Sequence, residues 1–448
     1  MLRMFFRRIR PGQLIVLVFL GIILLGAGLL CLPAARSGRP TPFLTSLFTA
    51  TSATCVTGLI RVDTGTHWTM FGQVVILLLI QVGGLGFMTI ACLFFFALRR
   101  RIGLRQRMVL AQALGSDTYS GIVSLVRNIL RGTAAVEGVG ALILFFRFLP
   151  EFGFGRALWY GVFHSVSAFC NAGFDVLADV DAGGSLCRYV TDPVVNFTIM
   201  ALIVIGGLGF AVWGDIRHHR RFSRLSVYSR LVVIITTVLI FGGAGVFAAL
   251  EWNNPNTIGD LTVPQKLMAA LFQSVTLRTA GFATFDQNAL SDVSKAASDL
   301  LMLVGGSSGS TAGGVKTATV GVILLSAWST ARGRTSVHVM KRRIPRQAVE
   351  NASALFILVL LLSGLGAAFL SIADHVSLEN ALYETISALC TVGLTTGITS
   401  SLGTASQIIL IVLMFFGRLG IMTISVGFMA ANRAEERVSY AETKIMIG

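Results

Sequence analysis

The sequence predicts an all-α membrane protein in which four linked units, each a span, a short helix and a second span, surround one axis. Three observations predict it: an apolar composition, basic blocks that alternate with acidic loops, and a fourfold internal repeat. Of 448 residues, 54% are hydrophobic and only 13% are charged, and the mean hydropathy is +0.77. A soluble chain with so few charges could not cover its surface with polar groups.

The clearest apolar stretches are Leu14–Leu32, Val74–Leu98, Val190–Val212, Leu231–Leu250, Leu355–Ile372 and Ile408–Met429. Each approaches the roughly 20 residues that cross a hydrocarbon core. Leu125–Phe146 and the interrupted Leu300–Trp328 are further spans of less uniform character. The N-terminal MLRMFFRRIR and the apolar run behind it resemble a secretory signal. The run is longer than a usual signal core and lacks a cleavage site, and Leu30 before Cys31 does not suit lipoprotein processing, so the first span is expected to be retained.

A formal net charge of +15 raises nucleic acid as a partner. Its distribution points elsewhere, because a nucleic-acid footprint would be contiguous on a soluble domain. The cations form short blocks between spans: Arg3, Arg7, Arg8 and Arg10, then 99–107, then 217–224, then Arg332 through Arg346. The alternate loops carry the acids, among them Asp63, Glu151, Asp175, Asp179, Asp181, Glu251, Asp260, Asp286, Asp292, Asp374 and Glu379. Two apolar features separate successive basic blocks. The positive-inside rule then puts both termini and every basic block in the cytoplasm. Six cysteines without a CxxC pair or histidines at metal spacing argue against a zinc site.

Four stretches align around a glycine: TATSATCVTGL (49–59), HSVSAFCNAGF (164–174), QSVTLRTAGF (273–282) and ETISALCTVGL (384–394). Cys55, Cys170, Arg278 and Cys390 stand three residues before Gly58, Gly173, Gly281 and Gly393. A second signal follows each: IQVGGLGFMT, VIGGLGFAVW, VGGSSGSTAGG and FFGRLGIMTI. These repeats divide the chain at 1–108, 109–225, 226–340 and 341–448. The short segments Pro42–Ala53 and Leu378–Leu389 cannot cross a bilayer at a helical rise of about 1.5 Å per residue. They are expected to dip in and return as extended backbone, which membranes tolerate only where protein buries it or water fills the adjoining cavity. Four such turns can converge on one axis, giving a central pseudo-four-fold ion pore. The alternative is that glycines only permit close helix packing. That reading is preferred for Gly83, Gly84, Gly86, Gly206, Gly207 and Gly209, but it does not explain the recurrent turn.

A cation stripped of water needs oxygen ligands, which a ring of backbone carbonyls supplies. Glycine gives access to the left-handed conformations this requires. Thr57, Asn171, Thr279 and Thr391 are positioned to brace the turns or add oxygens, and the C-terminal ends of the short helices favour positive charge. An anion pore would want more cations here than Arg278 alone.

The four units, their single glycines and the motif GGSSGSTAGGVK resemble the Trk/Ktr/HKT superfamily of potassium transporters, and most closely its Ktr-type membrane subunit. The likeness extends from about Gln13 to the C-terminus. It implies a selectivity filter binding K⁺ at Val56, Thr57, Gly58, Asn171, Ala172, Gly173, Thr279, Ala280, Gly281, Thr391, Val392 and Gly393. It also implies an intramembrane gate loop of Gly305, Gly306, Ser307, Ser308, Gly309, Ser310, Thr311, Ala312, Gly313 and Gly314, followed by Lys316. Glycine rather than serine at position 58 favours potassium over sodium. The departures from a TVGYG-like filter imply a preference less sharp than a true potassium channel's.

Within that resemblance Arg418 is a barrier below the filter that contacts the gate loop; a structural ion pair or backbone cap is the other reading. Its cost at the bilayer centre, about 2.5–3.5 kcal/mol on insertion scales, requires that it face protein or water. Arg278 is expected to brace the third turn, with Glu384 as a candidate partner. Lys316 either tethers the loop or reaches the cytosol. A phosphate-binding loop is a rival reading of GSTAGGVKT, but Val315 stands where that motif needs glycine before Lys316.

The basic segments 99–107, 217–224 and Arg332–Arg346 have two readings, anionic-lipid binding and docking to a cytosolic regulator. The resemblance adds a homodimer seated on a cytosolic ring of nucleotide-binding (ATP or ADP) RCK subunits, with Ala441–Gly448 at the dimer interface, and Na⁺ as a second ion. No organic cofactor is expected on this chain, and no enzyme chemistry. An energy-coupled transporter is the alternative, but it would want an intramembrane carboxylate relay, and few carboxylates lie in the expected spans.

Overall fold

The computed structural model describes residues 11–38, 40–86, 122–177, 184–334 and 336–420. Arg3, Arg7, Arg8, Arg10, the block 99–107, Asp179, Asp181 and the tail Ala441–Gly448 lie outside them.

The first quarter holds α1 (Pro11–Leu30), α2 (Phe43–Cys55), the single turn α3 (Thr64–His67) and α4 (Met70–Leu85). The second holds α5 (Ile122–Phe169), α6 (Pro193–Leu208) and α7 (Phe210–His219). The long α5 is interrupted at Gly153 (φ 71°), just past Pro150, so a span and a short helix follow one another without a gap. The third holds α8 (Val227–Glu251), α9 (Val263–Thr276), α10 (Asp292–Met302) and α11 (Thr317–Ala331). The fourth holds α12 (Arg346–Asp374), α13 (Leu378–Leu389) and α14 (Thr404–Leu419).

Local sequence explains the starts. Asp192 accepts from the Val194 and Val195 amides with Pro193 in the first turn of α6. Thr262 and Gln265 form a capping box on α9. Ser226, Ser291 and Ser377 cap α8, α10 and α13. Each satisfies a backbone donor that a helix start leaves free.

Helix ends depart from the expected spans. Val190–Val212 is not one helix: α6 stops at Leu208, and α7 continues at 93° to it. The hinge is Gly209 (φ 88°, ψ 145°), and Gly86 (φ 78°, ψ 137°) and Gly420 (φ 80°, ψ 123°) end α4 and α14 in the same conformation. Only glycine adopts that backbone without strain. The expected Val74–Leu98 and Ile408–Met429 are therefore helical only as far as Leu85 and Leu419 among the described residues. Leu300–Trp328 is replaced by two helices around an irregular loop, the first starting at Asp292. The chain is mostly rather than wholly helical, because His338–Val339 pairs antiparallel with Arg342–Arg343.

Outer faces carry large exposed side chains such as Leu25, Phe146, Phe241 and Ile372, each at least 66% exposed. Surface of that kind is stable against hydrocarbon, not water. Three helices, α5, α8 and α12, are individually long and apolar enough to span, and the bent pair α6–α7 passes as a fourth. Inside, Phe48 and Leu59 from the first quarter share a buried cluster with Tyr383 and Leu410 from the last, so the first and fourth quarters are neighbours.

Candidate functional site: four glycine turns and the loop beneath them

The short helices α2 and α13 and the end of α5 finish alike. The amides of Val56, Asn171 and Thr391 bond to carbonyls three residues back, and those of Thr57, Ala172 and Val392 to the carbonyls of Ser52, Ser167 and Ser387, each at 2.8 Å. This is the Schellman ending, in which the first residue past the helix is left-handed and usually glycine. Here the left-handed residues are Val56 (φ 57°), Asn171 (φ 59°) and Thr391 (φ 53°), with Thr279 (φ 66°) their counterpart after α9. For β-branched residues this conformation is an outlier, costing about 1–3 kcal/mol each. Two residues on, Gly58, Gly173, Gly281 and Gly393 are again at positive φ, whereas Thr57, Ala172, Ala280 and Val392 between them are not. The alternation recurs in all four turns.

The turns meet. A Cβ placed on Gly58 would lie 2.5 Å from the Ala172 carbonyl oxygen, one on Gly173 2.7 Å from that of Ala280, and one on Gly281 2.5 Å from that of Val392. One on Gly393 would collide with the Thr57 carbonyl. Each glycine thus faces the carbonyl before the next glycine, and the last returns to the first. The turns form a closed ring of backbone with no room for a side chain.

Hydroxyls one turn back hold the ring. Ser52 and Ser387 accept from the Gly58 and Gly393 amides at 3.1 and 3.0 Å. Ser167 and Thr276 donate to the Phe174 and Phe282 carbonyls at 2.7 and 2.6 Å. These braces were not singled out in the sequence, although a serine stands six residues before the glycine in three stretches and a threonine five before it in the third. The threonines expected to serve, Thr57, Thr279 and Thr391, are buried with hydroxyls that find no hydrogen-bond partner among the described residues.

Residues 303–316 pass beneath the ring. Val304 and Val315 form a single parallel bridge that pinches the base of the loop. The loop is seated on carbonyls that the end of α6 leaves free: the Ser307 amide bonds Gly207, the Thr311 amide bonds Gly206, and the Ser307 hydroxyl bonds Leu208. The Thr311 hydroxyl reaches the Phe169 carbonyl at 3.0 Å, directly below the second turn. Gly313 packs against Thr391 so closely that a Cβ there would collide with its side chain, and a Cβ on Gly314 would lie 3.1 Å from the Cys390 carbonyl.

Arg418 bonds the Thr311 carbonyl in the loop and the Gly83 and Gly84 carbonyls at the end of α4. Three elements distant in sequence meet at one guanidinium, placed where the negative end of α4 favours a cation. Lys316 turns back onto its own loop, its Nζ 2.7 Å from the Ala312 carbonyl. Arg278 does not pair with Glu384. It approaches the Gly305 carbonyl and the Thr317 hydroxyl at 3.5 and 3.4 Å, while Glu384 accepts from Thr399. The GGLG glycines divide by role. Gly83, Gly84 and Gly206 do sit in close contact, with Thr54, Cys170 and Phe169; Gly209 both ends a helix and packs closely on Ser307, whereas Gly86 ends a helix without such a contact.

One intramembrane carboxylate escaped the sequence reading. Glu137 on α5 accepts from the Gln81 amide at 3.1 and 3.2 Å, and Cys170, just before the second turn, lies 3.9 Å away. The carbonyls of Thr57, Ala172, Ala280 and Val392, brought together in the ring, are the candidate cation ligands.

Residues 23–437 match the family model TrkH, described as a cation transport protein. The potassium/sodium uptake protein NtpJ of Enterococcus hirae is 40% identical, the alignment covering 99% of this chain and 98% of that one. The Ktr system potassium uptake protein B of Bacillus subtilis is 39% identical over 98% and 97%. The crystal structure of the potassium transporter TrkH from Vibrio parahaemolyticus superimposes with a TM-score of 0.73 at 17% identity, covering 93% of this chain and 84% of that one, a likeness of fold. The chain is a multi-pass membrane protein and belongs to the TrkH family of cation transport proteins.

Proposed function

We propose that this chain carries potassium into the cell through the ring of glycine turns. The ring acts as a selectivity filter and the loop Gly305–Gly314 as a gate. The closed ring of backbone carries the reading. It offers carbonyl oxygens from four directions and admits no side chain, which is what a dehydrated monovalent cation requires. The filter takes in Val56–Gly58, Asn171–Gly173, Thr279–Gly281 and Thr391–Gly393, one turn from each of the segments 1–108, 109–225, 226–340 and 341–448.

Below it, the gate loop obstructs the path while it is seated on α6, and Arg418 adds a positive barrier. Lys316 belongs to the gate as its internal tether. Both termini and the basic segments face the cytoplasm, following the positive-inside rule. The likeness to a Ktr system protein supports a homodimer working with a cytosolic nucleotide-binding ring, and NtpJ's name adds sodium as a second ion for the same path.

The test is the reversal potential of the purified chain in proteoliposomes under opposed K⁺ and Na⁺ gradients, without nucleotide. A value near the K⁺ equilibrium potential supports a selective filter. A value midway makes the path a weakly selective K⁺/Na⁺ one. Absence of current from both this chain and its Arg418→Gln variant would sink the passive-pore reading in favour of coupled transport.

A further inference from the structure

The gate loop is tied on two sides to a basic surface helix. On one side, the first amide of α7, that of Phe210, donates to the Gly309 carbonyl at 3.0 Å, and the Ser307 hydroxyl bonds Leu208 across the hinge. On the other, the hydroxyl of Tyr228 in the first turn of α8 donates to the Ser308 carbonyl at 3.3 Å. Between these points lie the rest of α7 and a 3-10 turn, Phe222–Arg224.

This stretch is one mechanical piece. Asp215 bonds His219 at 2.7 Å and the Ser226 amide at 2.9 Å, and Ser226 caps α8. Arg230 closes the corner onto the Leu225 carbonyl at 2.9 Å. A displacement of α7 is therefore transmitted to residues 307–309 through both attachments.

Its outer surface has the makeup of an interfacial helix. Arg217, Arg220, Arg221 and Arg224 are all exposed and form no ion pair among the described residues. Ile216 and Phe222 protrude among them, 40% and 50% exposed. The 93° bend after α6 sets α7 nearly perpendicular to it, parallel to the membrane plane where α6 runs along the membrane normal. Arginines at phosphate level with apolar side chains turned into the acyl boundary is the arrangement by which surface helices bind anionic lipid.

We propose that Phe210–Arg224 is a binding surface for anionic phospholipid headgroups and that its occupancy holds the gate loop in its seat. Lipid holds α7 in the membrane plane, which keeps Phe210 on Gly309 and Tyr228 on Ser308. Withdrawal of anionic lipid frees α7 to tilt and draws residues 307–309 away from α6. The inference rests on the reading of that loop as a gate.

The test uses the full chain in nanodiscs of phosphatidylcholine, with or without phosphatidylglycerol, and reads amide hydrogen exchange over residues 305–314. Phosphatidylglycerol is expected to slow exchange there by at least about threefold, as a ligand favouring one of two loop positions must. The combined R217Q, R220Q, R221Q and R224Q variant is expected to lose the response. Tyr228→Phe, which removes one hydroxyl, is expected to retain phosphatidylglycerol binding yet show a weaker loop response. Exchange indifferent to phosphatidylglycerol overturns the proposal, and so does a response that survives the fourfold variant. Protection that appears only on adding a soluble acidic protein would make the surface a protein dock instead, and also overturns it. Because the readout does not depend on flux, failure of potassium transport is detected separately, in proteoliposomes of the same two lipid compositions.

Discussion

Arg418 and Thr311 are joined by a hydrogen bond from the guanidinium of α14 to a carbonyl in the loop beneath the glycine ring. The same side chain holds the end of α4 through Gly83 and Gly84. Arg418→Gln removes these charge-assisted contacts, worth about 1.5–3 kcal/mol each, and removes a positive charge from below the ring. Potassium flux through the resting protein is expected to rise by about tenfold or more for the loss of a single such contact, since about 1.4 kcal/mol is a factor of ten. Isotope uptake into proteoliposomes measures it, and unchanged flux would rule out Arg418 as a latch.

Gly313→Ala tests the same gate from its other side. The added methyl would collide with Thr391, so the loop cannot keep its present seat below the fourth turn. Flux is expected to rise, with folding intact by thermal denaturation. A variant that transports no faster than the parent would mean that the loop adjusts without leaving the path.

Gly58→Ser examines the ring. Its Cβ would lie 2.5 Å from the Ala172 carbonyl oxygen, and position 58 has φ 98°. Misplacing one carbonyl set and straining one residue by about 1–3 kcal/mol is expected to lower the preference for K⁺ over Na⁺ roughly fivefold or more. The shift in reversal potential reads this directly.

Ser387→Ala removes the acceptor of the Gly393 amide, 3.0 Å away in a fully buried setting. A buried donor left without a partner costs about 1–3 kcal/mol, so the melting temperature should fall. Selectivity should fall with it, because Ser387 fixes the backbone on which the ring depends. Ser52→Ala should behave alike at Gly58.

Much of this architecture is written in short-range signals. Leu378–Leu389 is a helix with those bounds, capped by Ser377 and ended by the glycine-bearing turn. The irregular loop between α10 and α11 is marked in the sequence by glycine and serine in an apolar context. What the sequence concealed was set by contact between distant segments. Gly209 in VIGGLGF could equally be a packing glycine, and only the loop docked against it reveals a hinge. Arg278 appeared equivalent to Cys55, Cys170 and Cys390, but the helix before the third turn ends in a tighter hydrogen bond. The Ala280 amide bonds the carbonyl four residues back, at Thr276, where the other turns reach back five. Arg278 itself meets Gly305 and Thr317 rather than Glu384. Glu137 was passed over because its partner, Gln81, lies on another helix.

The closure of the ring also sets a schedule. Arg418 and Gly83 are 335 residues apart, and the first and fourth turns meet across a similar interval. At synthesis rates of about 5–20 residues per second, the first turn emerges roughly 20–70 s before the last can reach it. Through that time Gly58 and its strained neighbour Val56 must persist in the membrane without the carbonyl neighbours that complete them. The hydroxyl of Ser52, supplied from within the same short helix, is available from the start. Each turn carries its own brace, so it can wait for the others.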